Sequence, residues 1–111
     1  MAMTYYTFKK ELIKELQENL KPFIEAKKLP DTTTFRIKKA SFPTQNTKKG
    51  EDVLIIAYKV NGNRLEARAS ILFLYGAYFN DDLSMCDFCI DILEQYCEQY
   101  ADLRNALKNF I

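Results

Sequence analysis

Three cysteines fall within residues 85–100, "MCDFCIDILEQYCEQY", in a chain that contains no histidine. A C-x-x-C pair could be half of a zinc site, since thiolates are good zinc ligands, or a redox couple, since neighbouring sulfurs can close a disulfide. Structural zinc needs four ligands, drawn from two such half-sites or from cysteine with histidine. A fourth ligand of that kind is missing from this sequence. A thioredoxin-like pair sits at a helix N-terminus after a strand, where the helix dipole lowers the thiol pKa. Here Asp81 and Asp82 precede Cys86 and Cys89, and their negative charge opposes a thiolate. On a helix at ~100° per residue the three cysteines share an arc of roughly 80° with Leu83, Ile90, Leu93 and Tyr100. A free cysteine behaves as a small apolar side chain. The sequence therefore predicts three thiols packed in a core, with no metal, no disulfide and no cofactor.

The same projection places Asp87, Asp91, Glu94 and Glu98 at i, i+4, i+7 and i+11, a single acidic ridge. Residues 81–102 carry seven acids and no base, so nothing at i±4 relieves the repulsion. Beside the ridge, Met85, Phe88 and Ile92 lie away from the cysteine face, exposed if the helix packs by one side only. An apolar patch rimmed by acids has the composition of a protein interface. The candidate protein-binding residues are thus Phe88 and Ile92 as anchors, with Asp87, Asp91, Glu94 and Glu98 around them. If the helix is instead covered on two sides, those apolar residues belong to the core.

The opposite pole lies earlier in the chain. Residues 21–50 carry eight basic side chains against Glu25 and Asp31. Arg36, Lys38 and Lys39, on a half-exposed strand, with Lys48 and Lys49 in the loop-like "TQNTKKG", form the alternative site, a nucleic-acid surface making phosphate contacts. The overall charge of +1 and pI of about 7.6 are low for such a protein, and the acidic helix must lie on the far side. Catalysis finds little support. There is no histidine, no G-x-S-x-G elbow and no glycine-rich phosphate loop, and Asp81-Asp82 reads as helix capping. The sequence predicts a non-enzymatic binding protein with a protein partner, nucleic acid being the alternative.

The elements that carry these residues follow from periodicity. Tyr5, Phe8, Leu12, Ile13, Leu16 and Leu20 recur at helical spacing behind Thr4 or Thr7 as N-cap, with Pro22 expected to end or kink the helix. "TTTFRIKKASF" alternates as a strand, Phe35 and Ile37 facing one way and Thr34, Arg36 and Lys38 the other. "DVLIIAYKV" reads as a central strand buried on much of both faces. Asn61-Gly62 between two such runs is a type I′ hairpin signal, because both central residues need positive φ. It pairs that strand with "RLEARASI", whose Arg64, Glu66, Arg68 and Ser70 face outward. "ILFLYGAYF" reads as the end of a strand followed by a short helix. Asp81, Asp82 or Ser84 then caps a helix reaching about Tyr100, with "ADLRNALKNFI" continuing or following it. The fold expected is α+β, an antiparallel three-stranded sheet with N-terminal and C-terminal helices packed on it, α-β-β-β-α.

At 111 residues the chain is the size of one domain, 1–111, large enough to bury a core without staples. No apolar run approaches the length of a spanning helix, and the N-terminus lacks the apolar stretch of a secretory signal. No membrane role and a cytoplasmic address are expected.

The opening "Y-x-x-F-K-x-E-L" from Tyr5 to Leu12, the strand pair, the run "I-x-F-L-Y-x-x-Y" from Ile71 to Tyr78 and a closing helix near "DLSM" resemble a family of small bacterial domains of gut anaerobes and their mobile elements. The likeness spans most of the chain. It implies an α+β fold and no known activity. Small domains with this charge pattern are also frequent among phage and mobile-element inhibitors of host machinery, a setting in which the acidic helix of this chain is expected to mimic the charge of nucleic acid.

Overall fold

The computed structural model describes residues 3–40 and 50–108. The N-terminal helix α1 (Tyr5–Glu25) starts where the Thr4 hydroxyl accepts a hydrogen bond from the Thr7 backbone N–H at 3.1 Å, the usual role of an N-cap threonine. Phe8, Leu12, Leu16 and Leu20 bury its apolar stripe. The helix does not stop at Pro22 but runs one more turn. A proline there removes a hydrogen bond, yet packing of the partly buried Phe23 and Ile24 against the core holds the turn in place. Lys27, at φ 58°, then turns the chain. The Lys28 and Leu29 amides donate to the Phe23 carbonyl, which satisfies an acceptor at the helix end.

Strands β1 (Thr34–Ala40), β2 (Glu51–Val60) and β3 (Asn63–Ser70) form an antiparallel sheet in the order β1-β2-β3. Asn61 at φ 53° and Gly62 at φ 81° make the turn between β2 and β3. This is the positive-φ pair that the dipeptide predicts. The register sets Phe35, Ile56 and Ala67 in one row and Ile37, Leu54 and Ala69 in the next, all on the side covered by helices. Thr34, Ala57 and Glu66, then Arg36, Ile55 and Arg68, then Lys38, Val53 and Ser70 are the rows of the other face.

The ambiguous run after β3 is helical throughout. Helix α2 (Ile71–Asn80) begins directly after Ser70, whose hydroxyl accepts from the Phe73 amide at 3.2 Å. Ser70 thus serves as its N-cap. No strand residue is drawn from "ILFLYGAYF", because Ser70 both closes the ladder between β2 and β3 and caps the helix. Helix α3 (Met85–Lys108) follows, with the Ser84 hydroxyl accepting from the Asp87 amide at 3.1 Å. The core lies between the three helices and one sheet face. Its centre is aromatic: Phe8 packs on Tyr75, Tyr78 and Phe88 with ring centroids at 5.2 Å, 5.5 Å and 6.3 Å, within the range of favourable ring contacts. No helix of the described residues is long and apolar enough to cross a membrane.

Candidate functional site

The acidic helix keeps its ridge and loses its apolar anchors. Asp87, Asp91, Glu94 and Glu98 are exposed, and among the described residues none of them makes an ion pair. Phe88 is only 5% exposed and Ile92 only 6%, and both join the core cluster. The cause is a second covering layer. Tyr78 of α2 meets the Phe88 ring at 5.4 Å, while Phe8 of α1 reaches it from another side. Phe88 and Ile92 therefore cannot serve as surface anchors, and Met85 is itself partly buried.

The cysteines divide. Cys89 is fully buried, its Sγ 3.8 Å from the Leu12 carbonyl oxygen. Burial, together with nearby Glu15 and Cys86, pushes its thiol up to about 12, since a thiolate is disfavoured both by desolvation and by neighbouring negative charge. Cys97 is half-buried between α3 and the end of α1, and burial raises it too. Cys86 departs from the expectation of a packed thiol. It is exposed, with its Sγ 3.5 Å from Asn19 Oδ1, at the first turn of α3. Among the described residues no group of three or more His, Cys, Asp and Glu side chains gathers as metal ligands would. Alkylation of the native protein should modify Cys86 first and leave Cys89 untouched until unfolding. Mass spectrometry of a timed reaction checks this, and equal rates at the two thiols would contradict the assignment.

A surface that periodicity did not single out lies on α2. This helix contains no charged residue at all, yet Leu72 is 60% exposed and Phe73 74%, with Phe79 and Leu83 also open to solvent. A helix that is apolar all round belongs in an interior. Only its Ile71, Tyr75 and Tyr78 side does so; Tyr75 donates to the Met3 carbonyl at 2.7 Å and stacks edge-on against Tyr5. On the outer side, Leu72, Phe73, Gly76, Ala77, Asn80 and Asp81 line a shallow depression of about 460 Å³. Gly76 is the one residue of that lining without a side chain. A methyl group added there would meet nothing within 4 Å, so packing inside this chain does not require the glycine. A glycine within a helix costs roughly 0.5–1 kcal/mol relative to alanine. The sequence signal is the charge-free "ILFLYGAYF", but a short apolar run has no period that separates a strand end from a helix apolar on two sides.

The basic candidates also divide. Arg36 and Lys38 stand on the sheet face away from the helices, where Lys59, Arg64 and Arg68 join them. Lys39 stands on the opposite side, beside Asp52, since a one-residue step reverses direction in a strand. Lys48 and Lys49 lie outside the described residues. Asp52 itself is a clamp between α1 and β2. Lys9 Nζ and the Tyr5 hydroxyl donate to its Oδ2 at 3.1 and 3.0 Å. Burial pushes the carboxyl up, but these hydrogen bonds and the charges of Lys9 and Lys39 outweigh it and hold Asp52 below its ordinary value. Tyr5, partly buried and next to Asp52, is pushed up to about 12. A carboxylate held this way and a phenol kept protonated join α1 to β2.

Comparison with protein-family models, with curated proteins and with solved structures finds no match to this chain.

Proposed function

We propose that this protein is a non-enzymatic protein-binding module whose docking surface is the outer side of α2, and that its partner is an apolar protein segment flanked by basic residues. The observation that carries this reading is the depression lined by exposed Leu72 and Phe73 and by Gly76 on a helix with no charge of its own. A desolvated aromatic in the middle of a patch is the usual anchor of an interface. Charge complementarity selects the partner. Asp81 closes the depression at one end, Asp82 follows it, and Asp87 and Asp91 lie exposed along the adjoining helix. Acidic residues around an apolar centre steer a basic partner and discourage an acidic one. In the separate setting of a phage or mobile-element inhibitor, that apolar segment and its basic flanks belong to a host nucleic-acid machine, and the exposed acidic ridge of α3 acts beside the α2 contact as a charge mimic.

Two amphipathic peptide helices with the same apolar face, one flanked by lysines and one by glutamates, test this reading. The lysine-flanked peptide should bind and the other should not. Phe73→Ala should weaken that binding by about 2 kcal/mol or more while leaving the melting temperature near that of the parent, because the ring is a surface group. Gly76→Ala should stabilise the free protein by about 0.5–1 kcal/mol and weaken the complex, a combination expected only if the bare backbone is there for a partner. Equal binding of the two peptides would refute the charge argument. A dimer in sedimentation that Phe73→Ala dissolves would identify a second copy of this chain as the occupant and overturn the proposal.

A further inference from the structure

The sheet face that the helices leave uncovered collects charge from all three strands. Arg36 on β1 and Arg64 and Arg68 on β3 converge on one carboxylate, Glu66, at 3.6, 3.1 and 3.5 Å. One carboxylate offsets one of three guanidiniums. The arginine side chains remain about half exposed, so they are held in place by Glu66 and still open to solvent. Lys38 and Lys59 extend the cluster along the same face. Its second carboxylate, Glu51, lies at the end of the sheet and accepts a hydrogen bond from Ser70. Among the described strand residues of this face, five cations thus stand against two acids, on the side of the sheet away from the acidic helix α3. The charge asymmetry along the chain becomes a separation across the fold, which removes the repulsion that the acidic helix would otherwise impose on a polyanion.

The ligand class follows from what this face lacks. Val53, Ile55 and Ala57, which form its floor, are almost fully buried, so none of the three projects to enter a lipid layer. None of the described strand residues on this face is aromatic, so there is no platform on which bases could stack. What remains is a flat array of guanidinium forks, which suit phosphate oxygens because they donate two parallel hydrogen bonds. We infer that the open face of the sheet binds the phosphate backbone of a nucleic-acid duplex without reading its sequence, through Arg36, Arg64 and Arg68 held by Glu66, with Lys38 and Lys59 beside them. This site is separate from the α2 surface and stands or falls independently of it.

The test is fluorescence anisotropy of a short labelled DNA duplex titrated with the protein across about 50 to 200 mM salt, over which each phosphate contact contributes a slope of about −0.9 in log K against log salt. The parent should show a slope equivalent to about three or more contacts. Arg36→Gln/Arg68→Gln should lose about tenfold or more in affinity at the low-salt end and give a flatter slope. Lys10→Gln/Lys14→Gln removes the same charge from the exposed side of α1 and should cost less than about threefold. Glu66→Gln frees the guanidiniums and should tighten binding about threefold, a gain that a misfolded variant would not produce. Equal losses from the two double variants, a slope near zero, or displacement of the duplex by polyglutamate as effectively as by unlabelled duplex would overturn the inference.

Discussion

Phe88→Ala is expected to lower the melting temperature of the isolated protein by about 12 °C or more, or to leave it unfolded. The ring is buried among Phe8 and Tyr78. Truncating a core aromatic costs ~3–5 kcal/mol, the lost transfer free energy plus a cavity that the neighbours fill only in part. For a domain of about this size each kcal/mol is worth roughly 4–8 °C. Thermal denaturation followed by circular dichroism, without any partner, decides it. Had Phe88 been the anchor of an exposed patch, the same substitution would barely move the transition, so a near-parental melting temperature would return the binding surface to α3. Phe73→Ala is the matched control. The ring there is three-quarters exposed, and its removal should leave the transition within a few degrees, about the effect of an ordinary surface substitution.

Ile56→Lys is expected to abolish folding, whereas its neighbour Ile55→Lys should leave a cooperatively folded protein. The two residues are equally inaccessible, 0% and 1% exposed. They differ in what lies over them. Ile56 points into the helix-covered core between Phe35 and Ala67. An ammonium there has neither water nor a counter-charge, and the penalty of several kcal/mol consumes a large part of the stability of any small domain. Ile55 lies on the open face between Arg36 and Arg68, and a lysine there can carry its stem along the sheet and its charge into solvent. The cost at that position is the lost isoleucine contact and repulsion from the two arginines, about 1–3 kcal/mol in all. Urea denaturation of both variants reads the difference, and comparable destabilisation by the two would mean that the second face is covered as tightly as the first.

The features legible in the order of residues alone are local ones. Thr4 and Ser84 cap their helices, Asn61 and Gly62 take the positive φ of the hairpin turn, and the alternation of Phe35 and Ile37 with Arg36 and Lys38 sets the two faces of β1. Each depends on residues within a few positions of one another. From these the α+β class and the antiparallel sheet follow. The apolar run 71–80 resisted a local reading, since a short run without polar residues has no period to type it; the cap at Ser70 and the docking of Ile71 and Tyr75 decided in favour of a helix. Only the tertiary structure could decide the surfaces. A helical projection of residues 85–100 shows which side chains share a face, but not how many faces a neighbour covers; Phe8 of α1 and Tyr78 of α2 enclose Phe88, Ile92 is buried with it in the core, and Leu72 and Phe73 are left outside. In the same way Arg36 and Arg68 are distant in the chain and meet at Glu66 because the strand register places the two arginines in one row and Glu66 in the next, a relation that no spacing along the sequence encodes.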